Sequence, residues 1–293
     1  MGKKSKKEVE VIGNQEVALE SDEKPYFFAS ISCGYIFRNL VESLLKFSNG
    51  ASFHFTKEGF FYKYVDVARN YTVVADFPAY CLNSYLFKGG KEFVLSINLD
   101  DFHKKIKDLK VQEMIRIFTI PTDQKQKFYF QICENEESEI VSYRFIQSKY
   151  IQNIDLEIPI LERNPDRVIS NEAFTKMGDG LKTNETTCVH LNKKVFENET
   201  QLTFEVKTED ESSGAVTEFV NPNMFMHSDD DPHEKSSVII PKDIFEKFSS
   251  GTKFNKDGIV RVYTEDRKYA IFEFSISYIS YLRIYVKDVL ECK

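Results

Sequence analysis

The sequence predicts an α+β protein built from two similar halves, on three observations. The 293 residues include 26 Phe and 15 Tyr but no Trp, and such aromatics favour strands and disfavour disorder. Short segments of alternating apolar and polar residues recur between turn signals, interrupted by only a few stretches of helical period. The strings SINLDDFHK and VIIPKDIFEK each run an apolar strand into Asp-x-Phe-x-Lys: Asp100, Phe102 and Lys104 in one, Asp243, Phe245 and Lys247 in the other. The constant offset of 143 residues implies a duplicated unit of roughly 125 to 135 residues, an ordinary domain size.

Residues 1–24 are charged and nearly free of aromatics, and read as a mobile tail. Their Lys3, Lys4, Lys6 and Lys7 suit either a nuclear-import or phosphate-binding patch or plain solvation. A first domain is expected over 25–146. Its segment 26–33 is strand-like, and 35–48 places Phe37, Leu40, Val41, Leu44 and Phe47 on one helical face. Segments 51–56 and 60–66 form a hairpin about the turn Lys57-Glu58-Gly59. Strands follow at 72–77 and 92–99. A helix over 100–110 has Asp100 as its expected N-cap and buries Phe102, Ile106 and Leu109. Strands at 113–120, 127–133 and 139–146 complete this half.

Residues 147–160 lack a clear period and read as a connector. A second domain over 161–293 repeats the order: a strand at 167–169, a helix from Ser170 or Asn171 to about 182, strands at 186–191, 201–207 and 214–220, a polar loop at 221–236, and a strand at 236–240. The helix 241–248 opens at Pro241. Strands 259–266, 268–276 and 281–286 alternate like a sheet with one wet face.

The net charge is −7, which speaks against a protein that simply coats nucleic acid. The charge is uneven, however. The segments 35–48, 100–110, 171–184 and 241–256 hold 12 Lys+Arg against 8 Asp+Glu; their +4 leaves −11 for the rest. Lys104 stands about 200° around the helix from Phe102 and from Ile106, and Lys176 and Lys242 have the same relation to Phe174 and Ile244. These lysines form either a polarised surface or ordinary solvated faces.

No apolar run reaches the roughly 20 residues of a membrane helix. The five cysteines, Cys33, Cys81, Cys133, Cys188 and Cys292, never take CxxC spacing; a reducing compartment and small apolar packing roles are expected of them. His227, Asp229, Asp230, Asp231 and His233 form the densest group of potential ligands, read as an acidic loop rather than a weak cation site. His54, His103 and His190 have no nucleophile or carboxylate at informative spacing, and no P-loop or GxGxxG occurs. No catalytic group, metal or cofactor is expected.

The run ASFHFTKEGFFYKYVDVARNYTVVADF (51–77) resembles the strand, acidic-Gly turn, strand, Asp, strand signature of the proliferating cell nuclear antigen (PCNA) sliding clamps. Residues 83–109 are similar to the family's stretch leading into its second helix, and 269–291 to its terminal strand pair and tail; the likeness covers about 26–291. The resemblance implies a non-enzymatic processivity factor, with two clamp domains per subunit, sheets outside, and helices lining a hole that encircles duplex DNA. It implies DNA contacts from Lys104, Lys107, Lys242 and Lys247, and from Lys105, Lys176, Lys253, Arg38, Lys46 and Lys182. The implied partner groove has Tyr150, Ile151, Ile154, Leu156 and Ile158 from the connector, with Tyr285 and Val286 from the tail. Lys287-Asp288 stands where the family tends to a small residue and Pro, which leaves partner identity open. Implied partners are double-stranded DNA, a DNA polymerase with other replication proteins, and further copies in a homotrimer joined through edge strands 127–133 and 214–220. The setting would be the nucleus or a viral or cytoplasmic replication compartment. The tail, the enlarged 221–236 loop and the loose motifs suggest a divergent member, of the kind viruses carry. A heteromeric checkpoint-clamp subunit and a clamp-fold scaffold that does not encircle DNA are the alternatives.

Overall fold

The computed structural model describes residues 26–119, 127–135, 143–148, 161, 163–181, 188–195, 200–206, 216–219, 234–249, 257–265, 267–276 and 280–288. The chain divides into two compact units, one of residues 1–63 and 76–152, the other of 64–75 and 153–293. Both are α+β, mostly antiparallel sheet with two helices each.

The first unit runs β1 (Phe27–Ile31), α1 (Gly34–Leu44), β2 (Gly50–Phe55), β3 (Gly59–Val65), β4 (Tyr71–Pro78), a 3₁₀ turn (Ala79–Cys81), β5 (Ser84–Phe87), β6 (Phe93–Asn98), α2 (Leu99–Ile106), β7 (Met114–Thr119), β8 (Lys127–Cys133) and β9 (Arg144–Gln147). One sheet has the order β5-β1-β7-β8-β9, and a second ladder joins β3, β2 and β6. Phe rings fill the space between them. Phe27 lies 3.9 Å from Phe55, and Phe53 5.5 Å from Phe128, centroid to centroid. The helices close this core with Phe37 and Phe102, 6.1 Å apart.

The second unit repeats the scheme with β10 (Arg167–Ser170), α3 (Asn171–Leu181), β11 (Cys188–Val195), β12 (Thr200–Val206), β13 (Val216–Phe219), β14 (Glu234–Pro241), α4 (Lys242–Ser249), β15 (Ile259–Glu265), β16 (Tyr269–Ser275) and β17 (Tyr281–Lys287). Its sheets are β10-β15-β16-β17, with the start of β4 beside β17, and β13-β12-β11-β14. Phe174 of α3 and Phe245 of α4 meet at 5.5 Å, as Phe37 and Phe102 do in the first unit. Phe102 packs against Phe128 and Phe130 of β8, and its counterpart Phe245 lies edge-on to Phe272 of the corresponding strand β16 at 6.1 Å. The duplication read from Asp-x-Phe-x-Lys is thus a duplication of the aromatic core.

Several local expectations are corrected. Asn98, not Asp100, caps α2: its Oδ1 accepts from Asp101 N at 2.9 Å. Asp100 falls inside the first turn, where its charge faces the helix's positive end. Ser170 does cap α3, its Oγ accepting from Ala173 N. Strand β5 escaped the sequence reading because SYLF exposes two of its four residues and so lacks a buried face. Strand β8 is no edge: β7 and β9 flank it, so β9 is the edge there among the described residues. Cys33, expected to fill an apolar niche, is exposed at the start of α1.

The sheet β10-β15-β16-β17 is wet over only part of its outer face, Val168 being 48% exposed. On its face away from the helices, Tyr263, Ile271, Tyr285 and Val74 form a buried cluster against which Leu161 and Tyr269 pack. Beside it runs the cross-strand row Val168–Arg261–Glu273–Arg283. Buried Glu273 accepts from Arg261 at 2.8 Å and from Arg283 at 2.7 Å. The corresponding row of the first unit is Phe28–Phe118–Tyr129–Phe145, with Phe118 stacked on Tyr129 and Lys127 over Phe145 at 4.3 Å. One position in the fold therefore holds ions in one unit and rings in the other. Long arginine stems and aromatic rings both cover a sheet, which is why alternation failed to forecast this burial.

Candidate nucleic-acid and partner-binding surfaces

The two helices of each unit bury one stripe and free the other. In α2 the buried residues are Leu99, Phe102 and Ile106, so 100° per residue turns Lys104 outward, and its side chain is 65% exposed. Asp100, one turn back, binds it and by hydrogen bond and charge holds the Lys104 ammonium above its ordinary pKa. Lys105 lies at the margin and Lys107 is exposed just past the last turn; neither has a carboxylate partner among the described residues. The end of α2 is fastened by arginines. Arg38 donates to the carbonyls of Lys107 and Leu109 and lies 4.4 Å over the Tyr35 ring, while Arg144 donates to the carbonyl of Lys105.

This placement changes the role of Arg38. Its guanidinium satisfies carbonyls left open at a helix end, so part of its donor fork is already engaged within the unit. Lys46 is exposed in the turn following α1.

In the second unit Lys176 is 75% exposed and paired with Glu172, whose carboxyl it holds below the usual range. Lys242 does not stand free as its angle to Ile244 suggested. Its side chain is 17% exposed and turns toward Glu246 at 3.7 Å, because a residue at the helix start lies beside the preceding strand. Lys247 faces Asp243 at 3.9 Å and the Tyr71 ring at 5.6 Å. The repeated Asp-x-Phe-x-Lys string is thus a repeated one-turn ion pair over a buried Phe. Lys182 and Lys253 lie outside the described residues.

Four of these lysines therefore carry a carboxylate on their own helix. The exposed pairs of Lys104 and Lys176 contribute only about 0–1 kcal/mol each, so a phosphate could displace the partner, whereas the Lys242 pair is largely buried. Sequence alone missed the pairing, although Asp and Lys four apart in a helix were visible as a signal.

For the partner groove, Tyr150, Ile151, Ile154, Leu156 and Ile158 lie outside the described residues. Tyr285 belongs to the cluster with Leu161, on the face away from the helices. Val286 points the opposite way, opposite Ala270 and fully buried, so alternation along β17 removes it from any surface. The acidic group from His227 to His233 is also outside the described residues. Among the described residues no cluster of three or more His, Cys, Asp or Glu could hold a metal, and no helix is long and apolar enough to cross a membrane.

No protein-family model matches the sequence, and no curated protein matches it either. Solved structures do. The crystal structure of proliferating cellular nuclear antigen from Entamoeba histolytica superposes with a TM-score of 0.71 over 90% of this chain and 99% of that one, at 16% identity. A PCNA2–PCNA3 complex from Sulfolobus tokodaii gives 0.66 over 89% and 99%, at 13% identity. Almost the whole length of each relative is matched while few residues are shared, and the conclusion is one of architecture: this chain has the fold of the PCNA sliding clamps, in a highly divergent sequence.

Proposed function

We propose that this chain is a DNA sliding clamp, a non-catalytic subunit that closes a ring around duplex DNA and tethers replication enzymes to it. The observation that carries the reading is the match to a PCNA structure over 90% of this chain and 99% of that one. The duplicated helix pairs support it, since they present lysines on their free faces in a chain that is otherwise acidic. Mobile Lys–phosphate contacts read charge and shape without base edges, and that lets a ring slide. Lys104, Lys105, Lys107, Lys176 and Lys247 are the proposed phosphate contacts, with Lys46 beside them. The proposed partner surface comprises the connector residues Tyr150, Ile151, Ile154, Leu156 and Ile158, with the half-buried Leu161 and Tyr269 that pack on the buried Tyr285 cluster; a peptide with aromatic anchors would dock there.

A homotrimer is the proposed assembly, joined by pairing of edge strands β9 and β13; covering an open edge also guards against aggregation. A heteromeric ring is the second reading, favoured by the likeness to a PCNA2–PCNA3 complex. A third reading is a scaffold that does not encircle DNA, favoured by the ion pairs that already occupy four helix lysines.

Retention on circular and linear DNA tests encirclement. A ring stays on a closed circle and leaves open ends, whereas equal retention on both refutes it. Mass measurement in solution separates the assemblies: the homomeric reading requires a stable trimer of the 34.2 kDa chain, and a lone monomer at micromolar concentration contradicts it.

A further inference from the structure

The row Arg261–Glu273–Arg283 crosses three neighbouring strands, β15, β16 and β17, on the face of the second unit's sheet away from the helices. The two arginines therefore stand two strand spacings apart, roughly 10 Å. Between them the Glu273 side chain is 7% exposed and gives one oxygen to each: Oε1 accepts from Arg261 Nη1, and Oε2 accepts from Arg283 Nε. Each guanidinium is held through one nitrogen. Among the described residues no acceptor meets the rest of either donor fork, and neither arginine is sealed in, their side chains being 37% and 23% exposed. Arg283 also lies 3.9 Å over the Tyr281 ring. Two cations share one carboxylate, so the row is net positive in a chain whose net charge is −7.

The fold does not require ions in this place. The first unit holds Phe118, Tyr129 and Phe145 at the same positions, and a carboxylate buried between cations is often no more stabilising than apolar side chains of similar volume. We propose that the row is a docking face for an acidic segment of a protein partner, one rich in Asp and Glu. Two half-engaged forks, fixed before a partner arrives, offer paired donors to two carboxylates and lose little freedom on binding. The flanks suit protein rather than nucleic acid. Exposed Val168 stands opposite Arg261 on β10, and the Tyr281 ring lies at the other end of the row. Arginine and tyrosine beside apolar groups is the composition of protein interfaces, whereas a phosphate backbone calls for a run of exposed cations. The face is separate from the helix lysines, so the inference stands whether or not the chain encircles DNA.

The test measures binding of a short labelled peptide rich in Asp and Glu, beside its counterpart with Asn and Gln, to the full chain and to three variants. Arg261→Gln removes the more exposed fork and leaves Glu273 its bond from Arg283. The triple variant Arg261→Phe, Glu273→Tyr, Arg283→Phe gives the second unit the row of the first. Lys88→Gln removes an exposed charge from the first unit and serves as the control. Arg261→Gln is expected to raise the Kd of the acidic peptide about fivefold, and Lys88→Gln to leave it unchanged. The triple variant is expected to keep a cooperative thermal transition and to bind the acidic peptide no better than the amide counterpart. An amide counterpart that binds the parent as tightly, a parent that binds neither peptide, or a Kd unmoved by Arg261→Gln or moved equally by Lys88→Gln overturns the proposal. So does a loss in Arg261→Gln that is seen with single-stranded oligothymidine and not with the peptide. If the triple variant does not fold, Arg261→Gln decides, with its thermal unfolding compared with the parent's to show that the fold is intact.

Discussion

Phe102 and Phe245 occupy the same place in the two units, each fully buried and ringed by other Phe side chains. Truncating either leaves a cavity that rigid neighbouring rings cannot fill. Phe102→Ala is expected to cost about 3–5 kcal/mol in denaturant unfolding. Both positions were legible in the sequence, because a local string was repeated at a fixed offset. Tyr85 was not. Its hydroxyl donates to the carbonyls of Thr56 at 2.5 Å and Gly59 at 2.7 Å, groups 29 and 26 residues away. It pins a hairpin tip at Gly59, whose φ of +144° admits no side chain without meeting the Phe77 carbonyl. Tyr85→Phe is expected to lose about 1 kcal/mol. Burial also pushes the Tyr85 phenol well above its ordinary value of 10.0. A folded pKa above the unfolded one means that the stabilisation is whole below pH 10 and declines as pH rises from there. Stability measured across that range should fall more steeply in the parent than in Tyr85→Phe.

Helix α2 illustrates how an element's type can be read while its boundary is missed. Apolar spacing identified the helix, but Asn98 and Asp100 are both good caps, and only the backbone direction at the end of β6 decides between them. Asn98→Ala should therefore cost about 1 kcal/mol, and Asp100→Ala less, because it removes an exposed ion pair and a first-turn charge but not the cap. Thermal unfolding of the two variants checks the order. Edges were harder to read than strands. The segment 127–133 was recognised as a strand to the residue, yet its neighbours are fixed by β9, a four-residue strand. Strand order arises from long-range pairing, which no window of sequence contains.

At the scale of the molecule, the fold class and its duplication were legible, whereas the chemistry of the basic faces was legible only in part. Composition located the lysines, but the carboxylates beside them and the employment of Arg38 as a helix clasp emerge from packing. Lys105 and Lys107, which lack carboxylate partners among the described residues, are the better probes of DNA binding. Lys105→Ala with Lys107→Ala should reduce the slope of log K against log salt by about 0.9 for each phosphate no longer neutralised, while leaving oligomer mass unchanged. An unchanged slope would remove both from the proposed interface.

The matched rows Phe28–Phe118–Tyr129–Phe145 and Val168–Arg261–Glu273–Arg283 give the two units different responses to their surroundings. Apolar burial strengthens in sulfate, whereas a charge pair gains nothing from added salt and is screened by it wherever it meets solvent. Sulfate is therefore expected to tighten the aromatic row more than the ionic one, so that two copies of one design answer differently to the ions around them.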